Sequence, residues 1–339
     1  MDKMTKRLLA LFLIGALLLI SSGGCVDKND EKPIGIAVEF NNHAACAYIA
    51  EAKGWFEEEG LELLPVFQVY ESGAAIAAAL ARGDIQIGYM GLTGAIMTHA
   101  RGVPIKVIAG VHKYGYGLVV RPEINEVEDL QNKTIGCLRE GTVTDLLLNL
   151  LIDRYHLENV TILRMSPSEE VFALITGRLD AAFLPEQHAT MAEFQGFPML
   201  ITSQDLWPEM QGDVLVVRTD LLEDNPDLVE RLVRVTQRAT TWVNEHRDET
   251  AEIMAGQLQA AGERIFLAEE TELAASLEIT PEVISRSMDR IEYATSIDPV
   301  VVQDTIDYMV ELGYIKEGVE AADIIDLTYL QKEEQDDGK

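Results

Sequence analysis

The chain has 339 residues, 47% of them hydrophobic and 25% charged, which is the composition of a globular protein. Its 57 acidic residues outnumber its 27 basic residues and give a formal net charge of −30 at pH 7. A surface this acidic repels nucleic-acid phosphates and anionic lipid, so the charge excludes a nucleic-acid partner and leaves a covalent anchor as the route to a membrane.

Residues 1–24 are predicted to be a secretory signal peptide. A basic start is followed by an unbroken apolar run over residues 8–20 and then by small residues. That run is about 13 residues long, short of the roughly 20 that span a bilayer, which favours a signal peptide over the alternative of a transmembrane anchor. The basic residues of this start are Lys3, Lys6 and Arg7.

The small residues lead into Cys25, an arrangement that resembles a lipoprotein signal, in which the cysteine becomes the lipidated first residue of the mature chain. Ser22 stands three positions before it, where such signals usually have leucine. The polar residues 25–33 are predicted to be a tether. These features predict a lipoprotein held by Cys25 at the outer face of the cytoplasmic membrane.

The first part of the mature chain alternates predicted strands with predicted helices. Residues 34–40 form a continuous apolar run with β-branched side chains, which predicts a buried strand. Ala-rich helices follow and end at glycines such as Gly54 and Gly83. The predicted strands are 34–40, one within 55–67, 85–89 and 105–109, and the predicted helices lie within 41–54, 74–82 and 94–101. This alternation predicts βαβ units and a mostly parallel sheet.

The same order then restarts. Predicted strands at 134–138, 160–165, 180–184 and 199–202 alternate with helices at 144–155 and 168–176, the second with Ser168 as its N-cap. In each half a helix ends at a glycine, an aspartate follows, and an apolar strand runs into a polar loop. These corners are Gly83-Asp84 and Gly177 to Asp180. The repetition predicts two similar α/β lobes.

Two similar apolar segments, 115–121 and 211–218, lie at the lobe boundaries. They are predicted to be the crossovers that join the lobes, although two apolar strands can also resemble each other by chance. The first lobe is then expected to comprise residues 34–116 and 216–330, and the second lobe residues 117–215.

The chain after residue 218 reads as mostly helical. Three helices are predicted to begin where a capping residue precedes a proline, at Asn225-Pro226, Thr280-Pro281 and Asp298-Pro299. Residues 331–339 are predicted to be an acidic tail.

Cys46 and Cys137 remain if Cys25 is lipidated, and they are predicted to be two buried, unpaired cysteines rather than a disulfide. The sequence has no Cys-x-x-Cys, no His-Glu-x-x-His and no paired Cys/His spacing. It therefore predicts no metal site, no cofactor and no catalytic residue.

Ligands of open parallel sheets bind beyond the carboxyl ends of the strands, often at helix N-termini. Several loops of this sequence follow a predicted strand and precede a predicted helix. The ligand-binding candidates in and beside them are Asn41, Asn42, His43, Ser72, Gly73, Gly91, Thr93, Tyr114, Gly141, Thr142, Thr144 and Glu186.

The charge of the ligand stays open at this point. Helix N-termini with Ser, Thr and Gly favour an anionic group, and Lys113 and Arg139 are the fixed cations near the candidate loops. Glu39 and Glu186 could instead receive an amine, or Glu186 could cap its own helix. The tyrosines and histidines near these loops have two possible roles each. Tyr114 and Tyr116 could contact an organic part of the ligand or pack in a hinge. His43 and His112 could contact the ligand or be ordinary polar loop residues.

Six segments in a fixed order resemble the substrate-binding proteins of nitrate, sulfonate and taurine ABC transporters, to which the thiamine-precursor-binding proteins are closely related. The resemblance covers about residues 34–330. The segments are AEAKGWFEEEGLEL, SGAAIAAALARGDIQIGYMG, HARGVPIKVIAG, VEDLQNKTIG, TGRLDAAFLPE and SIDPVVVQDTIDYMVELGYI. Family members often have an aromatic residue before Glu-Pro in the second-lobe loop, whereas this chain has Pro185 before Glu186, which leaves the ligand open.

The resemblance implies a two-lobed periplasmic-binding-protein fold of type II, with two hinge crossovers and a helical C-terminal region. It implies a monomer that traps a small anion between the lobes and delivers it to an ABC permease and its ATPase. The alternatives are a binding protein for a thiamine-precursor pyrimidine or an amine, and an enzyme on the same fold, of the pyrimidine-precursor synthase or chorismate-processing type. The signal peptide and the absence of a cysteine cluster argue against the enzyme. A sensing lobe of a receptor is a weaker alternative.

Overall fold

A computed structural model of the chain describes residues 34–61, 67–265 and 278–330. The predicted signal peptide, the tether with Cys25, and the acidic tail lie outside the described residues. No helix within the described ranges is both long enough and apolar enough to cross a bilayer.

The first sheet contains five strands in the order β2-β1-β3-β11-β4. β1 runs parallel to β2 and β3, whereas β11 is antiparallel to both β3 and β4. The strands are β1 (Ile36–Glu39), β2 (Gln68–Tyr70), β3 (Ile87–Gly91), β4 (Ile105–Gly110) and β11 (Asp213–Arg218).

The second sheet has the same plan, in the order β8-β7-β9-β6-β10. β7 runs parallel to β8 and β9, and β6 is antiparallel to β9 and β10. Its strands are β6 (Tyr116–Val120), β7 (Thr134–Cys137), β8 (Thr161–Arg164), β9 (Ala181–Pro185) and β10 (Met199–Thr202). β6 and β11 therefore occupy equivalent places in the two sheets, which explains why their sequences resemble each other.

The chain passes between the two sheets twice. It leaves the first sheet after β4 through a short strand, β5 (His112–Tyr114), which pairs antiparallel with β12 (Ile291–Tyr293). It returns between β10 and β11. The two similar segments of the sequence thus lie mainly inside the sheets, each directly after a crossing. The residue boundaries of the two lobes stay a prediction.

Helices follow most of the strands, and the region after β11 is mainly helical, as predicted. A 3-10 turn covers Val127–Leu130. The α-helices are α1 (Ala45–Ala52), α2 (Trp55–Glu58), α3 (Gly73–Arg82), α4 (Leu92–Ala100), α5 (Val143–Arg154), α6 (Pro167–Ile175), α7 (Glu186–Phe194), α8 (Ser203–Leu206), α9 (Thr219–Asp224), α10 (Pro226–Glu245), α11 (Arg247–Ile265), α12 (Pro281–Met288), α13 (Pro299–Glu311) and α14 (Ala321–Ile324).

The predicted helix starts at proline are confirmed for α10, α12 and α13. The predicted N-cap of α6 is wrong by two residues. Ser166, not Ser168, caps this helix, because its Oγ accepts from the backbone N–H of Glu169 while the Glu169 carboxylate accepts from the Ser166 N–H. This reciprocal pair is a capping box.

One face of α10 fixes the position of α1 against the first sheet. Its buried residues Leu228, Leu232, Val235, Ala239 and Val243 recur every three or four positions, so they lie on one side of the helix. That side packs on α1, and each fully buried Leu or Val contributes about 1.5–3 kcal/mol. The packing holds the loop 41–44, which connects β1 to α1.

Both Cys46 and Cys137 are buried and unpaired, as predicted.

Candidate functional site

A cleft of about 700 Å³ opens where the carboxyl ends of strands from both sheets face each other. Glu39 ends β1, Gly91 ends β3 and Pro185 ends β9, and all three line the cleft. Leu138, directly after β7, lines it as well. The cleft therefore lies where the strand-end rule for open sheets places a ligand.

Most of the predicted ligand-binding residues line this cleft, although their contact with a ligand stays a prediction. The residues that line it are Asn41, His43, Ser72, Gly73, Gly91, Thr93, Gly141, Thr142 and Thr144. The structure does not place Asn42, Tyr114 or Glu186 among the residues that line the cleft.

Asn42 and Tyr114 are turned towards the C-terminal region. The side-chain amide of Asn42 donates to Oγ of Ser287 at 2.7 Å, and the Tyr293 hydroxyl donates to the Asn42 carbonyl at 2.9 Å. Tyr114 has a positive φ of 63° and pairs with Ile291 in the small β5–β12 sheet. These contacts explain why two candidate residues beside the cleft do not face it.

Glu186 is buried in an ion-pair cluster. Its Oε1 accepts from Nε of Arg290 at 2.7 Å and from the Thr190 hydroxyl at 3.0 Å, and Arg290 also pairs with Glu193. Burial raises the pKa of Glu186, and the Arg290 guanidinium opposes that rise. The carboxylate thus joins α7 to the chain after α12, and Glu186 is not among the residues that line the cleft.

Three helices begin after residues that line the cleft and have no side-chain cap among the described residues: α3 after Ser72, α4 after Gly91 and α5 after Thr142. The first N–H of α4 donates to the Gly212 carbonyl at 3.0 Å, so its later N–H groups are the available ones. The helix α7 also begins beside the cleft, after Pro185, but its first N–H donates to the Gly115 carbonyl at 2.8 Å. The first N–H groups of a helix have no acceptor within the helix, and together with the helix dipole they attract an anion. The start of α6 also lines the cleft, but its capping box already satisfies the N–H groups of Ser166 and Glu169, and Pro167 has no N–H.

The loop before α5 is held from behind by a buried carboxylate. Oδ2 of Asp145 accepts from the Gly141 N–H at 3.0 Å and from the Tyr314 hydroxyl, and Oδ1 pairs with the Arg164 guanidinium. The Thr142 hydroxyl donates to the Arg139 carbonyl at 2.7 Å. The Gly141 N–H is therefore not free to donate to a ligand in the cleft, because it already donates to Asp145.

The cleft contains charges of both signs. Arg101, Arg139 and Arg164 line it, and Nη2 of Arg139 donates to Oγ of Ser72 from the opposite sheet at 3.4 Å. Lys113, the other cation near the candidate loops, instead pairs with Glu292 at 3.3 Å. The acidic residues that line the cleft are Glu39, Glu71, Glu140 and Glu169.

Glu39 is a half-buried carboxyl group at the base of the cleft, a region formed by Glu39, Asn41, His43, Gly91 and Tyr116. The Gly91 N–H and the Asn41 amide each donate to it at 3.4 Å. Burial, with a smaller contribution from the nearby charge of Asp213, raises the pKa of Glu39 to about 8. At neutral pH a carboxyl group with this pKa is mostly protonated and neutral.

Asp213 meets two histidines behind the base. Its Oδ1 lies 3.3 Å from Nε2 of His112 and 3.7 Å from Nδ1 of His43. Burial, with a smaller contribution from the neighbouring His43, lowers the pKa of His112. The sequence analysis considered both histidines but not Asp213. An aspartate at the start of an apolar strand does not indicate which distant residues it will contact.

The sequence profile of the family described as NMT1/THI5 like matches residues 41–250. A putative aliphatic sulfonates-binding protein of Bacillus subtilis (strain 168) is 24% identical over 340 residues, and the alignment covers 97% of each chain. The taurine-binding periplasmic protein of Escherichia coli (strain K12) is 29% identical over 59% of this chain and 64% of that protein. The chain spans 65% of the length of a putative binding protein of Brucella abortus (strain 2308), with 27% identity.

The fold is also shared with solved structures. The alkanesulfonate-binding protein SsuA from Xanthomonas axonopodis pv. citri, bound to MOPS, superimposes with a TM-score of 0.72 at 16% identity, over 87% of this chain and 98% of that one. This likeness confirms the predicted two-lobed periplasmic-binding-protein fold. With the family profile matching most of the chain, the protein belongs to the NMT1/THI5-like family, alongside relatives named as binding proteins for aliphatic sulfonates and taurine.

Proposed function

We propose that the protein is an extracytoplasmic solute-binding protein that traps a small sulfonate-type anion in the cleft and delivers it to an ABC permease and its ATPase. The observation that carries this proposal is the convergence of three uncapped helix N-termini, from α3, α4 and α5, on one cleft between the two sheets. The names of the Bacillus and Escherichia relatives support the same ligand class.

The chemistry of the three helix ends suits an oxyanion. Each helix N-terminus carries roughly half a unit of positive charge and N–H donors without helical acceptors. A sulfonate has three oxygens that share one negative charge, so it can accept hydrogen bonds from more than one helix end. Arg139 and Arg101 also line the cleft and can attract an anion, although Glu71, Glu140 and Glu169 line it as well.

An amine on the same ligand is the second candidate, and Glu39 is the observation that favours it. This carboxyl group lines the base of the cleft, and an ammonium group close to it would favour its charged form. An aminosulfonate such as taurine would then place its anion at the helix ends and its amine at Glu39. A simple alkanesulfonate would leave Glu39 neutral.

A binding function is proposed in preference to catalysis. The relatives are named as binding proteins, and neither Cys46 nor Cys137 lines the cleft, so no cysteine of the described residues is placed for chemistry on a ligand there. We further propose that the protein is monomeric and that lipidation of Cys25 holds it at the outer face of the cytoplasmic membrane.

Titration calorimetry on the purified protein tests the function. Ethanesulfonate, taurine and nitrate are the probes, and ethylamine is the cationic control. One sulfonate or taurine should bind with a stoichiometry of one and raise the melting temperature, because a ligand that binds only the folded state stabilises it. Tighter binding of taurine than of ethanesulfonate would support the amine contact with Glu39. A folded protein that binds ethylamine but none of the three anions would refute the proposal.

A further inference from the structure

His43, His112 and Asp213 come together from three distant parts of the chain. His43 lies in the loop after β1, His112 begins β5 at the first crossing, and Asp213 begins β11 just after the second crossing. All three side chains are at most 1% exposed. One ligating atom from each lies within 4.8 Å of the other two.

The hydrogen bonds of the two histidines fix which ring nitrogens carry protons. Nε2 of His43 lies 2.9 Å from the Gly115 carbonyl, and Nδ1 of His112 lies 3.3 Å from the Lys113 carbonyl. A carbonyl oxygen only accepts, so these two nitrogens are the donors. In a neutral imidazole the other nitrogen then presents a lone pair, and in both rings that nitrogen faces Oδ1 of Asp213.

Three electron-rich atoms thus face one point. Nε2 of His112 and both carboxylate oxygens of Asp213 are buried without a hydrogen-bond partner among the residues that the structure describes. Lone pairs of two imidazoles and a carboxylate repel one another unless a proton or a metal cation lies between them, and a metal cation can contact all three at once. Histidines that bind a metal characteristically donate their second N–H to a backbone carbonyl, as both do here.

Two glycines make room for the histidine rings. A Cβ atom on Gly212 would collide with the ring of His112. A Cβ atom on Gly115 would lie 3.1 Å from Nε2 of His43, and its φ of +80° also favours glycine. The backbone at both crossings is therefore shaped around these two rings.

We propose that His43, His112 and Asp213 bind one divalent transition-metal ion behind the base of the cleft. Two imidazoles and one carboxylate are a ligand set for zinc and its neighbours, whereas calcium and magnesium prefer oxygen ligands alone. Zinc–ligand bonds of about 2.0–2.2 Å in a tetrahedron place ligand atoms about 3.3–3.5 Å apart. The separations of 3.3 and 3.7 Å from Asp213 Oδ1 come close to this spacing.

The ion would join both crossings to the loop after β1, because its three ligands come from these three segments. His43 also lines the cleft, so one of the three ligands connects the proposed site to the wall of the cleft. A fourth coordination position would be left for water, as in zinc sites with three protein ligands. The site thereby adds a metal-dependent support to the hinge, and its existence does not depend on which solute the cleft binds.

Zinc binding to the chelator-treated protein tests the proposal. Calorimetry should give one zinc ion per chain, and zinc should raise the melting temperature while calcium should not. Asp213→Asn and His112→Gln should each weaken zinc binding by at least about a hundredfold, since even the loss of a residue that only supports a ligand costs 10- to 100-fold. His156→Asn is the matched control. His156 is exposed, outside the cluster and has a positive φ that asparagine accepts.

X-ray absorption of the zinc-loaded, unmodified protein gives a second readout that does not require the variants to fold. The expected first shell contains two imidazole nitrogens and oxygen ligands at about 2.0–2.2 Å. Failure of the unmodified protein to bind zinc stoichiometrically would overturn the proposal. So would a shell without imidazole, or folded Asp213→Asn and His112→Gln variants that bind zinc as tightly as the His156→Asn control.

Discussion

Arg139 and Ser72 meet across the cleft, where Nη2 of Arg139 donates to Oγ of Ser72 at 3.4 Å. Ser72 precedes α3 beside the first sheet, and Arg139 follows β7 of the second sheet. The pair therefore links the two faces of the cleft and places a cation beside an uncapped helix N-terminus.

Arg139→Ala should weaken the binding of a sulfonate by about tenfold, or about 1.4 kcal/mol, because it removes the positive charge beside the helix ends. Calorimetry with ethanesulfonate or taurine measures the change. Arg178→Ala, at an exposed arginine of the same half of the molecule, is the control and should leave affinity unchanged. Equal affinities for the two variants would remove Arg139 from the site.

The raised pKa of Glu39 predicts a pH-dependent contribution to stability. Its pKa rises from an ordinary value of 4.5 to about 8 in the folded protein, so folding favours the protonated form. The stabilising contribution is complete below pH 4.5 and is lost as the pH rises towards 8. Glu39→Gln cannot ionise, so its free energy of unfolding relative to the unmodified protein should increase between pH 5 and pH 8.

Urea titrations of both proteins at several pH values, in the presence of a chelator, give this difference. A difference that stays constant, or that falls as the pH rises, would show that Glu39 is not held in its neutral form by the fold.

Asp145 should stabilise the loop before α5, so its replacement should lower the free energy of unfolding. Asp145→Ala leaves the partly buried Arg164 guanidinium without its ion pair, which we expect to cost about 3 kcal/mol of unfolding free energy. Tyr314→Phe removes one hydrogen bond to the same carboxylate and should cost only about 1 kcal/mol. Urea denaturation measures both. Similar costs for the two variants would mean that the ion pair contributes little.

Cys25→Ser tests the predicted lipid anchor. The variant should be released from the membrane fraction or should retain its signal peptide, because serine cannot accept the lipid through a thioether. Cell fractionation and mass spectrometry of the mature chain are the measurements. A variant that stays in the membrane fraction with the mature mass of the cleaved, unmodified protein would contradict lipidation.

The repeated plan of the two sheets was predictable from the sequence because its signals are local. Glycine-ended helices, apolar strands and Pro-initiated helices each follow from a few adjacent residues. Which side chains point into the cleft was not predictable, since this depends on contacts with residues far away in the sequence. Asn41 and Asn42 are alike in sequence, yet Asn42 is turned away by Ser287, which lies 245 positions further along the chain. Asp213 reaches His43 and His112 only because the second crossing brings β11 back to the first sheet. Asp145 supports the loop before α5 through contacts with Arg164 and Tyr314, which are distant in the sequence.

The proposed binding of an anion by helix N-termini in the cleft is tested most directly by a pair of variants at Thr142. Thr142 precedes α5 and lines the cleft. Thr142→Asp introduces a negative charge that competes for the same N–H groups, whereas Thr142→Asn has the same shape and no charge.

Calorimetry with the best sulfonate ligand should show at least about a tenfold loss of affinity, roughly 1.4 kcal/mol, for the aspartate variant and little change for the asparagine variant. Equal affinities of the two folded variants would contradict an anion site at this helix end.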